Sequence, residues 1–202
     1  MANQTLTKLH IGCFDHVLPG WINTDITPRV FLSRVPCLAW LLFKIGLLPQ
    51  QRYSQHRQGV FRNVRYMNVA RRFPYADGAI DYVYSSHMLE HLYPAQAVFC
   101  LSEIYRVLNT GGVNRIAVPD LDKTVASYNR QSPDQFLKSI FEVKQKNQKN
   151  QHHWHYNEIS LTRILREVGF HEVYRCQFQQ GHCADVTLVD MRPQSLFMEA
   201  VK

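Results

Sequence analysis

Acid is missing from a long stretch of this chain. Between Arg29 and Arg72 stand nine lysines and arginines and no Asp or Glu, so much of the net charge of +7 is gathered there. An evenly neutral surface is thereby excluded. Nucleic acid, an anionic lipid or a phosphorylated substrate would each suit such a face, as would solvent alone. Paired cysteines are missing too. The five (13, 37, 100, 176 and 183) are scattered, with no Cys-x-x-Cys. This argues against a disulfide framework or a structural zinc module, and for a reducing compartment. The opening MANQTLTKLH lacks the charged-then-apolar layout of a secretory signal, so a cytoplasmic location is expected. The apolar segment CLAWLLFKIGLL, between Pro36 and Pro49, would span roughly 18 Å as a helix, short of a bilayer core of roughly 30 Å. Residues 36–49 read as a cap or lid over a sheet, a peripheral membrane contact helped by basic flanks, or a partner interface.

What is present is ordinary globular composition: 202 residues, 46% hydrophobic and 19% charged. One domain over 1–202 is expected. Strands are predicted over 6–12, 21–26, 64–69, 80–86, 113–119, 170–178 and 195–201, the first two joined at Pro19-Gly20. Helices are predicted over 94–108, closed by Gly111-Gly112, and over 158–168, closed by Gly169. Residues 120–150 read as helical and polar. Strands separated by helices imply a mostly parallel sheet covered on both faces. Its ligands would bind at the carboxyl ends of the strands, where strand order reverses.

Two features at those ends carry chemistry. Gly12 follows the first strand directly, and a residue without a Cβ lets the backbone pass close to a ligand. Asp25 ends the second strand, where a carboxylate can accept hydrogen bonds from both hydroxyls of a ribose. In that order they point to an adenosine-type cofactor.

The blocks LHIGCFDHVLPGWINTDI, FPYADGAIDYVYSSHMLEHL, EIYRVLNTGGVNRIAVPDL and the tail from LTRILREVGF to SLFMEA resemble class I S-adenosylmethionine-dependent methyltransferases, within them the compact methyltransferase type 11-like proteins. The resemblance omits an insertion at 28–62 and a polar stretch at 124–150. It implies an α/β fold, a Rossmann-like three-layer sandwich with a seven-stranded, mostly parallel sheet whose last strand is antiparallel. It also implies S-adenosylmethionine as cofactor. By position, Gly12 and Cys13 would face its methionine part, Asp25 its ribose and Asn68 with Val69 its adenine. Ser85 and Ser86 would line the wall near the sulfonium. Three positions depart from the family pattern. Phe14 stands where a second glycine is usual, Asn68 where an aspartate is commoner, and Thr110 where a proline is usual.

SSHMLEHL (85–92) also spells His-x-x-Glu-His, the pattern of inverted zincin peptidases. The family carries Leu-Glu-His-Leu here without a metal, and a zinc site needs a third protein ligand and an open position. No metal is expected. Glu90 and His91 are expected to bond amides at the start of the next helix. His87 leaves the strand on the substrate side and is the first candidate for a catalytic base. Asp120, after the fifth strand, is the second, although capping the following helix suits it equally. A second cluster, HHWHY (152–156), reads as a metal site, a loop over the substrate mouth or a helix lead-in.

Methyl transfer to an oxygen or nitrogen of a small or lipid/glycan-linked acceptor is the expected function. A non-catalytic binding or scaffold protein that kept the fold is the rival, and Phe14 supports it. A nucleic-acid methyltransferase is a third reading, supported by the basic excess. Against it, SSHM stands where an Asn-Pro-Pro-Tyr-type base-handling motif would fall. The oligomeric state is left open.

Overall fold

The computed structural model describes residues 6–141 and 151–202. Seven strands form one sheet: β1 (Lys8–Ile11), β2 (Ile22–Asp25), β3 (Val64–Tyr66), β4 (Ile80–Ser86), β5 (Leu108–Val118), β6 (Glu172–Cys176) and β7 (Leu196–Val201). Their order is β3-β2-β1-β4-β5-β7-β6. Pairs among β1 to β5 are parallel, and β7 runs antiparallel to both of its neighbours. The last strand is therefore antiparallel as expected, slotted between β5 and β6. Helices α1 (Arg29–Leu32), α2 (Pro36–Lys44) and α3 (Gln50–Arg57) fill the β2–β3 connection. The others are α4 (Pro94–Val107), α5 (Leu121–Ala126), α6 (Pro133–Phe141), α7 (Glu158–Val168) and α8 (Val186–Val189). Strand order reverses between β1 and β4, which places the ligand crevice at their carboxyl ends.

One apolar cluster joins Ile11, Val83, Ile116 and Met198 of the sheet to Leu101 and Ile104 of α4 and Leu161 and Leu165 of α7. Each such burial contributes about 1.5–3 kcal/mol relative to an exposed side chain. A smaller cluster of Leu18, Trp21, Tyr84, Val113 and Val189 is separate from it. α7 matches its predicted span. The Asn157 side chain accepts from the Ser160 N–H (2.9 Å), and Gly169 closes the helix at φ +123°, which suits glycine.

Several sequence expectations are corrected. β1 and β2 are parallel neighbours, not strands joined by a tight turn at Pro19-Gly20. The chain between them contains no helix. Asn23 substitutes for one: its Oδ1 accepts from Leu18 N–H (2.9 Å), and its Nδ2 donates to Leu18 O (2.9 Å) and Trp21 O (3.0 Å). Those bonds satisfy backbone groups that a crossover helix would have paired. Gly111-Gly112 does not close α4 either. The chain turns extended at Leu108, and both glycines lie within β5, beside a register shift between Ile80 and Tyr82. The polar stretch is two short helices, α5 and α6, and its residues 142–150 lie outside those described.

Candidate functional site

β1 ends at the reversal of strand order, and the chain leaves it through Gly12 at φ +68°. A Cβ there would stand 2.5 Å from Met88 Cγ, so a side chain at this turn would collide as well as strain the backbone. Cys13 returns its N–H to Thr24 O at 3.1 Å. Its thiol is buried with Val30 and Val64, and burial pushes it up to about 12, which makes it a neutral packing group. Phe14 adopts φ +45°, an uncommon conformation for a side chain of this size. Asp25 holds it there. Oδ2 accepts from Phe14 N–H at 2.9 Å and Oδ1 from Thr27 N–H at 2.7 Å. Burial raises the Asp25 carboxyl above its ordinary range, opposed by those two N–H bonds and by Arg29.

The Phe14 ring is turned toward the basic insertion. Arg52 lies 4.7 Å and Arg29 5.4 Å from its centroid, and Phe61 meets it edge-on at 6.3 Å. Arg52 and Gln55, both on α3, also donate to Asp15 Oδ2 at 2.9 and 2.8 Å. The acid-free segment thus spends two of its cations covering the β1 turn.

A cavity of about 670 Å³ opens next to this turn, lined among others by Phe14, Arg52, His87, Asp120, Arg192 and Ser195. His87 sits at φ +50°, with Nε2 2.8 Å from Ser195 Oγ and Nδ1 3.3 Å from Glu90 Oε1. Asp120 lines the same space, but its carboxylate is engaged. Oδ1 accepts from Asp122 N–H (3.1 Å) and Lys123 N–H (3.3 Å), capping α5, and Oδ2 receives Arg175 at 3.2 Å. The residues expected from the sequence to face a cofactor, Gly12, Cys13, Asp25, Asn68, Val69, Ser85 and Ser86, stand at the ends of β1 to β4, outside this lining. Asn68 turns its Oδ1 to Ala70 N–H (2.9 Å), and Val69 packs on the main core. Arg52, Arg192 and Ser195 were missed by sequence reasoning. Only Arg52 left a signal, as part of the acid-free run.

The two histidine segments, remote in sequence, meet here. Glu90 O accepts from His153 N–H (2.8 Å) and Trp154 N–H (3.2 Å), and His91 Nδ1 donates to Gln151 O (3.1 Å). The Glu90 side chain does not bond amides at the helix start, contrary to expectation. It is fully buried, and neither carboxylate oxygen has a hydrogen-bond partner among the described residues. Tyr93 N–H instead bonds Gln96 Oε1 at 3.2 Å to close the start of α4.

The seven-stranded sheet, mostly parallel with β7 antiparallel to its neighbours, matches the Rossmann-like methyltransferase fold. Residues 46–116 match the family model described as a methyltransferase domain. Among solved structures, the chain is similar to a S-adenosylmethionine-dependent methyltransferase, possible histamine N-methyltransferase, from Thermotoga maritima. That likeness is 13% identity over 97% of this chain and 82% of the other, with a TM-score of 0.57. A S-adenosylmethionine-dependent methyltransferase from Archaeoglobus fulgidus is similar at 16% identity over 98% and 86%, TM-score 0.56. PigF with SAH is similar at 16% identity over 98% of this chain and 56% of that one, TM-score 0.52. These likenesses are of fold. No curated protein matches the sequence.

Proposed function

We propose that this chain binds S-adenosylmethionine at the ends of β1 to β4 and transfers its methyl group to an oxygen or nitrogen of an acceptor in the adjoining cavity. The observation that carries this reading is Gly12 and Asp25 at the reversal of strand order. The residues fit the cofactor. The Gly12 turn has no room for a Cβ of its own. Each Asp25 oxygen already accepts one N–H, and a carboxylate has about four acceptor positions, so ribose hydroxyls can still be bound. Gly12 and Cys13 would hold the methionine part, Asn68 and Val69 the adenine, and Ser85 and Ser86 the wall beside the sulfonium. When bound, the cofactor supplies an electrophilic methyl group. The protein then has to align a nucleophile, and alignment can supply on the order of 7–11 kcal/mol of a barrier. His87, facing the cavity and held between Glu90 and Ser195, is placed to take the acceptor's proton. Asp120 supports the wall as the cap of α5.

Calorimetric titration with S-adenosylmethionine and S-adenosylhomocysteine tests the reading. Micromolar binding of both is expected. Absence of heat in folded protein would overturn it and leave the scaffold reading in front. With a true acceptor, His87→Ala is expected to lower kcat by about 10²–10⁴-fold, the usual worth of a general base. Full activity in the variant would remove His87 from that role.

The acceptor we favour is lipid- or glycan-linked. Leu38, Trp40, Leu41, Ile45 and Leu47 are exposed on and after α2, between Arg34 and Arg52 and with Lys44 among them. No helix among the described residues is long and apolar enough to cross a membrane, so this segment would lie on a surface. The protein is expected to sediment with vesicles containing phosphatidylserine but not with phosphatidylcholine alone, and Trp40→Ser with Leu41→Ser is expected to abolish this. Lack of sedimentation at low salt would sink the membrane contact.

A further inference from the structure

Glu90 presents an unsolved electrostatic problem. Its side chain is fully buried, and its two oxygens lack hydrogen-bond partners among the described residues. A buried carboxylate without compensation is costly, so it should be neutralised or matched by a cation. The groups around it are ligands. His91 and His152 each bring a ring nitrogen that lies, with a Glu90 oxygen, inside one group whose members are all within 4.8 Å of one another. His152 Nε2 is 3.9 Å from Glu90 Oε1. His87 Nδ1 is 3.3 Å from the same oxygen. The Tyr156 hydroxyl is also buried, with no hydrogen-bond partner among the described residues.

We propose that Glu90, His91 and His152 form a site for a divalent ion of the zinc class, with an open coordination position toward the cavity. Three observations converge on it besides proximity. Two histidines and one carboxylate are a donor set zinc accepts in open, catalytic-type sites. His91 donates Nδ1–H to Gln151 O, which fixes the tautomer with Nε2 as the ligand atom; this is the outer hydrogen bond that metal-binding histidines ordinarily make. All three residues line the same cavity as His87 and Ser195, so the fourth position faces the space where an acceptor would sit. Ligand bonds of about 2.0–2.1 Å place donor atoms about 3.3 Å apart around a tetrahedral ion. The present separations, up to 4.8 Å, have to shorten by at most about 1.5 Å to reach that value. Because the third ligand comes from the segment leading into α7, 61 positions after His91, the local His-x-x-Glu-His spacing does not describe the site: His87 stays with Ser195. If the methyltransferase reading holds, the ion would bind an acceptor's oxygen and ease loss of its proton. The metal site itself does not depend on that reading.

The test uses full-length, chelator-stripped protein titrated with Co²⁺, followed by visible absorption, and with Zn²⁺, followed by calorimetry. One equivalent of Co²⁺ is expected, with the strong bands of a four- or five-coordinate ion, displaced by Zn²⁺. Glu90→Gln and His91→Ala are each expected to weaken binding at least 100-fold, while His153→Ala, whose ring stacks on Tyr93 at 4.2 Å, is expected to leave it unchanged. Thermal melts of each variant separate loss of binding from loss of fold, and His91 is only half-buried, so its variant is the safer arm. No uptake by wild type, or uptake equal in Glu90→Gln and wild type, would overturn the site. S-adenosylmethionine titrated into the stripped protein is read separately. Its failure would sink the methyltransferase reading and leave the Co²⁺ result standing.

Discussion

Arg115→Met is expected to lower stability by about 3–5 kcal/mol, the cost of breaking a fully buried ion network from one side. The side chain of Arg115, in β5, is fully buried, as are those of Asp190, just after α8, and Glu199, in β7. Its Nε donates to Asp190 Oδ1 (2.9 Å) and its Nη1 to Glu199 Oε1 (2.7 Å). Nη2 also donates to Asp190 Oδ2 (2.5 Å), and the last two donors reach Gln180 O (3.1 Å) and Gln177 O (3.2 Å). Glu199 in turn accepts from His182 N–H (2.8 Å) and Cys183 N–H (3.0 Å). Methionine would fill most of the volume but leave two carboxylates buried without a cation and two carbonyls without a donor. Urea denaturation measures the loss, and a change under about 1 kcal/mol would mean that the network is solvated. The triple change Arg115→Met, Asp190→Leu, Glu199→Leu should recover part of the loss, since apolar replacement of a whole buried network is often tolerated. The network also matters to the site. Asp190 anchors the chain two residues before Arg192 and five before Ser195, both of which line the cavity. Loosening it should therefore blur the acceptor side even where the fold survives.

Legibility of this chain followed how local each signal was. β4 and α7 matched their predicted spans because an apolar run of strand length and a period-3.6 pattern were flanked by strong punctuation: Asp77-Gly78 before the strand, and Asn157 and Gly169 around the helix. β3 was shorter than read, since Met67 and Val69 are apolar enough for a strand but pack on the core from outside the ladder. The β1–β2 crossover was misjudged because Pro19-Gly20 is a genuine turn signal, while the deciding residue, Asn23, acts through side-chain bonds that no periodicity displays. The candidate site divides in the same way. Gly12 and Asp25 are local features of strand ends and could be found from sequence. Arg52, His152 and the Arg192–Ser195 pair reach the cavity from three separate segments, and only the folded chain brings them together. Glu90 was assigned to helix capping by position, yet the tertiary return of residues 151–154 buries it and removes it from that task.

The second large effect expected is on the cofactor: Asp25→Ala should weaken S-adenosylmethionine binding by about 10²–10⁴-fold. Two hydrogen bonds to a charged acceptor contribute about 1.5–3 kcal/mol each, and each 1.4 kcal/mol is tenfold in affinity. Asp25 acts twice, however, because the same carboxylate holds Phe14 N–H and Thr27 N–H. The alanine variant therefore removes the ribose ligand and also frees a turn whose Phe14 sits at φ +45°. Phe14→Gly separates these effects. Glycine adopts that conformation without strain, and it would give the turn the second glycine that the resembled family carries. If the ring obstructs the crevice, Phe14→Gly should tighten binding. If the ring only packs beneath Arg52 and Arg29, affinity should stay the same while the insertion loosens. In Phe14→Gly/Asp25→Ala the turn no longer depends on the aspartate for its geometry, so whatever affinity is still lost belongs to the ribose contact. Wild-type affinity in that double variant would mean that Asp25 shapes the turn and does not bind the cofactor.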